Sequence, residues 1–180
     1  MIAKKKLSVI LLAHNVYEYV AQALDSILMQ KVNFDFEIIV GDDGSQDGTA
    51  DILMEYKKRY PDIIKLYLTP RVKRSHGGDY INFSNLYRKV QSEYITVLDG
   101  DDYWTNENKL QIQIDFLDQN KDFTVCGHNY FLEYSDGERT PYFSELGGQS
   151  SYSFICKDFN QMLLGGECPY MQTSSIIYRN

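Results

Sequence analysis

The chain has 180 residues, of which 43% are hydrophobic and 24% charged, and its formal net charge is -7. That length sets a single domain as the prior and allows a substantial buried core. The acidic balance excludes non-specific binding to DNA or RNA, which needs clustered Lys and Arg, but not a phosphorylated ligand, because a bound cation reverses the local charge.

No apolar run approaches the roughly 18 residues of a membrane span. The apolar residues 7–13 lead straight into an Asn-containing loop, so they read as a buried strand and not as a signal sequence. Cys126, Cys156 and Cys168 form no CxxC pair and leave an odd count. They predict buried thiols, no disulfide framework and a reducing, cytoplasmic compartment. The 15 tyrosines suit a sugar- or base-binding cleft, and suit a partly buried surface as well.

The first half alternates strand and helix signals. Residues 7–12 (LSVILL) are a near-continuous apolar run, as in a strand covered on both faces. Residues 18–30 carry Val20, Ala23, Leu24, Ile27 and Leu28 at helical spacing. FEIIV at 36–40 is a second strand. Ser45 or Asp47 can cap the next helix, with Ile52, Leu53, Tyr56 and Tyr60 inward and Pro61 closing it. IIKLYL at 63–68 is a third strand. A basic loop follows, then a helix with Phe83, Leu86, Tyr87 and Val90 on one face. YITVL at 94–98 is a fourth strand, and a helix over 109–118 turns Leu110, Ile114 and Leu117 inward. Residues 123–134 read as extended, with a turn at Ser135-Asp136-Gly137. Beyond Thr140 the pattern weakens to a short helix near 157–164 and a final strand over 171–178. Such alternation implies right-handed βαβ units, a mostly parallel Rossmann-like sheet flanked by helices, and a ligand at the carboxyl ends of the strands.

Two acidic clusters fall at that predicted edge. Asp99-Gly100-Asp101-Asp102 follows the fourth strand directly. Three carboxylates in so short a loop repel one another unless a cation lies among them. Hard oxygen donors with no His or Cys nearby favour magnesium or manganese, which take one or two carboxylates plus substrate phosphates. Gly100 allows close backbone approach. The other cluster, Gly41-Asp42-Asp43-Gly44, follows the second strand. An ionised Asp43 accepts hydrogen bonds only, so it suits the imide N–H of a base or a ribose hydroxyl. Asp42, Ser45 and Asp47 read as turn and cap residues. In the basic loop, Arg71, Lys73 and Arg74 either reach a diphosphate or form a solvated face, with Gly77-Gly78 opening a helix N-terminus. His14 and His76 lack metal-ligand spacing, and His128 reads as structural.

The first strand with Asn15, then GDDGSQDGT, then YITVLDGDDYW followed by KLQIQIDFL resemble family 2 inverting glycosyltransferases. The resemblance implies the nucleotide-diphospho-sugar transferase (GT-A type) fold. It places Leu12, Ala13 and His14 against the base, with His14 where that family often has Tyr. It gives Asp43 the base contact, Asp99 the ribose or phosphate side, and Asp101 the metal, with Asp102 as the alternative ligand. Thr173 and Ser174, within Gln172-Thr173-Ser174-Ser175, match the acceptor-side strand. The implied cofactor is Mn2+ or Mg2+. The implied partners are a nucleotide diphosphate sugar, UDP before GDP or dTDP, and a glycan or lipid-linked acceptor, which allows peripheral association with the inner membrane face.

Residues 1–105 would then form the nucleotide-sugar half of a single domain and residues 106–180 an incomplete acceptor half. Inverting enzymes need a general base. The family's acidic motif for it follows the acceptor-side strand, so the base is expected beyond Asn180, in a longer enzyme. Glu167 precedes that strand and is a poor substitute. Two other readings stay open. A nucleotidyltransferase shares the plan but usually has a Gly-rich basic loop after the first strand, absent from Leu12-Ala13-His14-Asn15. A non-catalytic binding module would lack the base.

Overall fold

A computed structural model of the chain describes residues 4–70, 80–142 and 172–180. The central strand, β1 (Leu7–Ala13), lies between two parallel neighbours, β2 (Phe36–Asp42) and β4 (Tyr94–Asp99). Helices cover both sheet faces there, which is why Leu7, Val9, Ile10 and Leu11 are all fully buried and the run shows no polar alternation. Outside β2 lies β3 (Ile64–Leu68), also parallel. Beyond β4 come β8 (Ile177–Arg179) and then β5 (Val125–Cys126), giving the order β3-β2-β1-β4-β8-β5. The parallel sheet expected from the alternation holds for four strands, while β8 runs antiparallel to both of its neighbours.

The chain moves outward from β1 through β2 to β3, then returns to the opposite side of β1 as β4. The connections leaving β1 and β4 therefore part at one point, the switch point where a crevice opens. Alternate residues of each strand feed two cores. Val9, Leu11, Ile38, Val40 and Leu98 pack with α1 (Val20–Leu28), α2 (Thr49–Arg59) and α4 (Lys109–Gln119). Ile10, Ile39, Ile95 and Val97 pack with Leu86 of α3 (Tyr80–Tyr87) on the other face. On α1 the stripe Val20, Ala23, Leu24 and Ile27 is fully buried. Its three larger side chains each contribute about 1.5–3 kcal/mol of burial.

Several expectations are corrected in detail. Tyr87 is 44% exposed, so among the described side chains the inward contacts come from Phe83 and Leu86 of α3 and from Val90 just beyond it. Residues 123–134 are not one strand. Val125 and Cys126 join the main sheet, whereas β6 (Tyr130–Glu133) pairs with β7 (Arg139–Tyr142) in a separate hairpin closed at the predicted turn. The last strand is shorter than expected, because Thr173–Ser175 form a 3-10 turn ahead of it. Cys126 is a buried free thiol, as predicted. The short helix near 157–164, Cys156, Cys168, Glu167 and the basic loop with Lys73 lie outside the described residues. No helix among the described residues is long and apolar enough to cross a membrane.

Candidate functional site

Register brings the two acidic clusters to one edge. Leu12 pairs with Gly41 on one side and Asp99 on the other, and Ala13 pairs with Asp42. The segments leaving β1, β2 and β4 are then tied together. The Asp43 N–H donates to Ala13 O at 3.0 Å, and the Gly100 N–H donates to Leu12 O at 2.8 Å. A Cβ on Gly100 would lie 2.9 Å from Leu12 O and 2.9 Å from Val16 Cγ2. The acidic loop thus lies directly on the end of β1, and only glycine fits there.

The loop after β1 is held by side chains of the loop after β2. Asn15 has φ 51°, in the left-handed region that Asn tolerates. Its N–H donates to Ser45 Oγ at 2.9 Å and its Oδ1 accepts from Gln46 N at 2.9 Å. Val16 N donates to Thr49 Oγ1, and Tyr17 N to Asp47 Oδ2, each at 3.0 Å. Asp47 Oδ1 also accepts from Thr49 N at 3.0 Å. Asp47 therefore serves the first turn of α2 as expected, although Gly48, at φ 97°, occupies the cap position itself. The hydrogen bond from the Thr49 hydroxyl, ahead of the other contacts, holds the Asp47 carboxyl below its usual range.

The carboxylates of the two clusters differ in environment. Asp42 is 2% exposed and ends β2, where its carboxylate accepts from the Ser45 N–H and hydroxyl, so it organises the turn. Asp43, the next residue, is half-buried at the crevice edge. Asp99 is half-buried, and burial, followed by the charges of Asp102 and Asp101, pushes its carboxyl up to about 6. The mutual repulsion expected of the loop thus contributes, second to burial. Asp101 is exposed, and no protein hydrogen bond or ion pair to its carboxylate occurs among the described residues. Asp102 accepts a hydrogen bond from the Ser174 hydroxyl. His14 is half-buried beside this edge, with Nδ1 buried and unpartnered.

Ser174 is the pivot of the acceptor-side turn. Its hydroxyl engages Asp102 and accepts from Asp99 N at 3.4 Å, and its carbonyl accepts from Trp104 Nε1 at 2.7 Å. Thr173 and Ser174, expected on a strand, lie instead in this 3-10 turn, where Ser174 touches the acidic loop and the exposed Thr173 opens the turn. Across from it, the Tyr103 hydroxyl donates to Glu133 and accepts from Arg139 Nη2 at 2.7 Å, which anchors the β6–β7 hairpin to the loop. Between these walls is a cavity of about 770 Å³ that runs inward from Asp101 and Asp102 to Lys109, Gln113 and His128. Sequence reasoning placed Lys109 and Gln113 only as helix residues, because helical periodicity does not mark a polar group that faces a cavity.

Among the described residues no three His, Cys, Asp or Glu side chains converge as a closed metal cage. One exposed carboxylate beside a second, half-buried one is a hard, open donor set. It fits magnesium or manganese completed by phosphate oxygens and does not fit a zinc site.

A doubly wound sheet with an acidic loop at its switch point defines a class, the nucleotide-diphospho-sugar transferase (GT-A) fold. Solved structures agree. Residues 1–349 of Staphylococcus aureus TarS align over 97% of this chain and 47% of that one, with TM-score 0.61 and 23% identity. TarS in complex with UDP aligns over 67% and 34%, with TM-score 0.53 and 27% identity. The mannosyltransferase PcManGT from Pyrobaculum calidifontis, in complex with GDP-Man and Mn2+, aligns over 69% and 35%, with TM-score 0.56 and 20% identity.

The chain belongs to glycosyl transferase family 2, whose profile matches residues 8–179. An uncharacterised Mycobacterium bovis protein is 32% identical over 173 residues, 96% of this chain and 46% of that protein. Bacillus subtilis TuaG, named provisionally for teichuronic acid biosynthesis, is 32% identical over 131 residues, 72% of this chain and 49% of its own. The Bacillus spizizenii poly(ribitol-phosphate) beta-glucosyltransferase is 32% identical over 107 residues, 59% of this chain and 16% of its own. The chain thus spans about half the length, or less, of these curated relatives.

Proposed function

We propose that this domain takes part in transferring a sugar from a nucleotide diphosphate donor to an acceptor hydroxyl, with inversion and with Mn2+ or Mg2+. The observation that carries the reading is the seating of the acidic loop on the end of β1 through Gly100, with Asp43 bonded to the same strand end. In this reading Leu12, Ala13, His14 and Asp43 hold the base. Asp99 serves the ribose or phosphate side and Asp101 holds the metal, while Asp102 is restrained by Ser174. A bound cation would offset the charge that develops on the departing diphosphate. Residues 1–105 form the donor half, and the segment after residue 105 contributes Thr173 and Ser174 to the acceptor side.

UDP is the first choice of nucleotide, supported by the UDP complex of TarS. The relatives named for poly(ribitol-phosphate) glucosylation and teichuronic acid biosynthesis support a cell-surface polymer as the acceptor. The free thiol of Cys126 accords with a cytoplasmic site of action, at or near the inner face of the membrane. Calorimetry with UDP and manganese tests the site. Asp101→Ala is expected to weaken metal-dependent binding about tenfold or more, the effect of losing one charge-assisted contact. Unchanged affinity would sink the assignment.

A further inference from the structure

Buried polar atoms without partners are rare in folded proteins, and each costs about 1–3 kcal/mol. Three of them belong to residues that line the cavity behind the acidic loop: Lys109 Nζ, Gln113 Oε1 and His128 Nε2. Lys109 is 5% exposed and Gln113 4% exposed. The Lys109 ammonium lies 3.8 Å over the Trp104 ring centroid, and no carboxylate pairs with it among the described residues. The ring face attracts the cation but fills none of its three hydrogen-bond positions.

What each atom requires can be read from its other contacts. Gln113 Nε2 donates to Cys126 O at 2.9 Å and to Ser175 O at 3.0 Å, which fixes the amide orientation and leaves Oε1 as a pure acceptor. His128 Nδ1 lies 2.7 Å from Asn129 O. A carbonyl accepts only, so Nδ1 carries the proton and Nε2 of the neutral ring presents a lone pair. Burial holds this imidazole down to about 4, in keeping with a neutral ring. The cavity end therefore presents two acceptors that need hydroxyl donors, beside one cation that needs an anionic oxygen.

We propose that this end of the cavity is a subsite for a hydroxylated anion, a polyol phosphate or a sugar acid, held by Lys109 at its charged group and by Gln113 and His128 at its hydroxyls. It rests on the glycosyl-transfer reading only in identifying that anion as part of the acceptor. A neutral sugar satisfies the two acceptors and leaves the ammonium unpaired, whereas inorganic phosphate does the reverse. Only a molecule with both groups satisfies all three.

Trp104 is the sole tryptophan of the chain and lines the same cavity, so its fluorescence reports occupancy. The wild-type protein is titrated with ribitol 5-phosphate and with glucuronate, and in parallel with ribitol, glucose and inorganic phosphate. A saturable change is expected with one or both hydroxylated anions, about tenfold tighter or more than with its neutral counterpart or with phosphate. Lys109→Met, which keeps the stem over the ring, is expected to erase that preference. No saturable response to either anion, an equal response to the neutral sugars, or a preference that survives Lys109→Met would each overturn the subsite. The wild-type comparison decides the matter even where the variant does not fold. UDP binding with manganese is measured separately. Its failure alongside anion binding would sink the donor assignment and leave the subsite standing, and the opposite pattern would do the reverse.

Discussion

Replacing Gly100 with alanine tests the contact that seats the acidic loop. The backbone of Gly100 is not in the left-handed region. Conformation alone would then make alanine neutral, or stabilising by about 0.4–1 kcal/mol through the unfolded chain. The surroundings reverse that sign. The added Cβ would meet Leu12 O and Val16 Cγ2, each at 2.9 Å. Val16 can turn its methyl aside. Leu12 O cannot move freely, because it accepts the Gly100 N–H at 2.8 Å and its residue pairs with Asp99 in the ladder. Overpacking costs about 1–3 kcal/mol, and loss of the hydrogen bond adds about 1 kcal/mol. The total of about 2–4 kcal/mol corresponds to a fall of about 5–15 °C in Tm for a chain of this size. Urea unfolding followed by circular dichroism gives the stability, and calorimetry with UDP and manganese on the folded variant gives the coupling to the site. A stability equal to or above wild type would refute the steric argument. Weaker nucleotide binding at unchanged stability would show that the loop is sensitive for some reason other than this contact.

Three further outcomes follow from neighbouring groups. Ser174→Ala should weaken manganese-dependent UDP binding several-fold by releasing Asp102, and should redshift Trp104 emission as the 3-10 turn loosens; unchanged values would show that the turn is not the support of the loop. Burial holds the Lys109 ammonium down to about 7, so Lys109→Met should stabilise the protein by at least about 2 kcal/mol at neutral pH. The unfolded chain binds the proton more strongly, so this gain should fade as pH rises from about 7 towards 10.5, and a gain independent of pH would contradict it. Burial raises the Asp118 carboxyl, but hydrogen bonds from Lys6, Tyr94 and Lys121 outweigh it and hold the group well below the usual range. Its contribution is then present above the ordinary carboxylate range and lost as pH falls, so Asp118→Asn should cost about 1–2 kcal/mol at pH 7 and progressively less in acid, by urea midpoints across pH.

Much of this was legible in the residues. Continuous apolar runs such as LSVILL and YITVL mark strands buried on both faces, and the spacing of Val20, Ala23, Leu24 and Ile27 marks a helix with one inner stripe. Both patterns are local, because burial of a face imposes a period on the chain that carries it. The acidic loop was legible too, since like charges crowded after a buried strand need a counter-ion wherever the strand lies. The antiparallel entry of β8 between β4 and β5 was not. It depends on pairing residues 94–96 with 177–179, and no local period encodes a partner so distant in sequence. The break at 123–134 was hidden for a related reason, since Val125 and Tyr130 have similar strand preference but join different sheets.

The sequence by itself determined the class of fold and the carboxylates at the carboxyl edge, because hydrophobic period and charge repulsion act over a few residues. The tertiary structure alone decided how those carboxylates differ. Asp102 is restrained by Ser174 from 72 residues away, whereas Asp101 is left exposed. It also decided that Lys109, Gln113 and His128 share one cavity. Hydrogen-bond satisfaction is a property of the packed surroundings, and those surroundings exist only once the sheet is assembled.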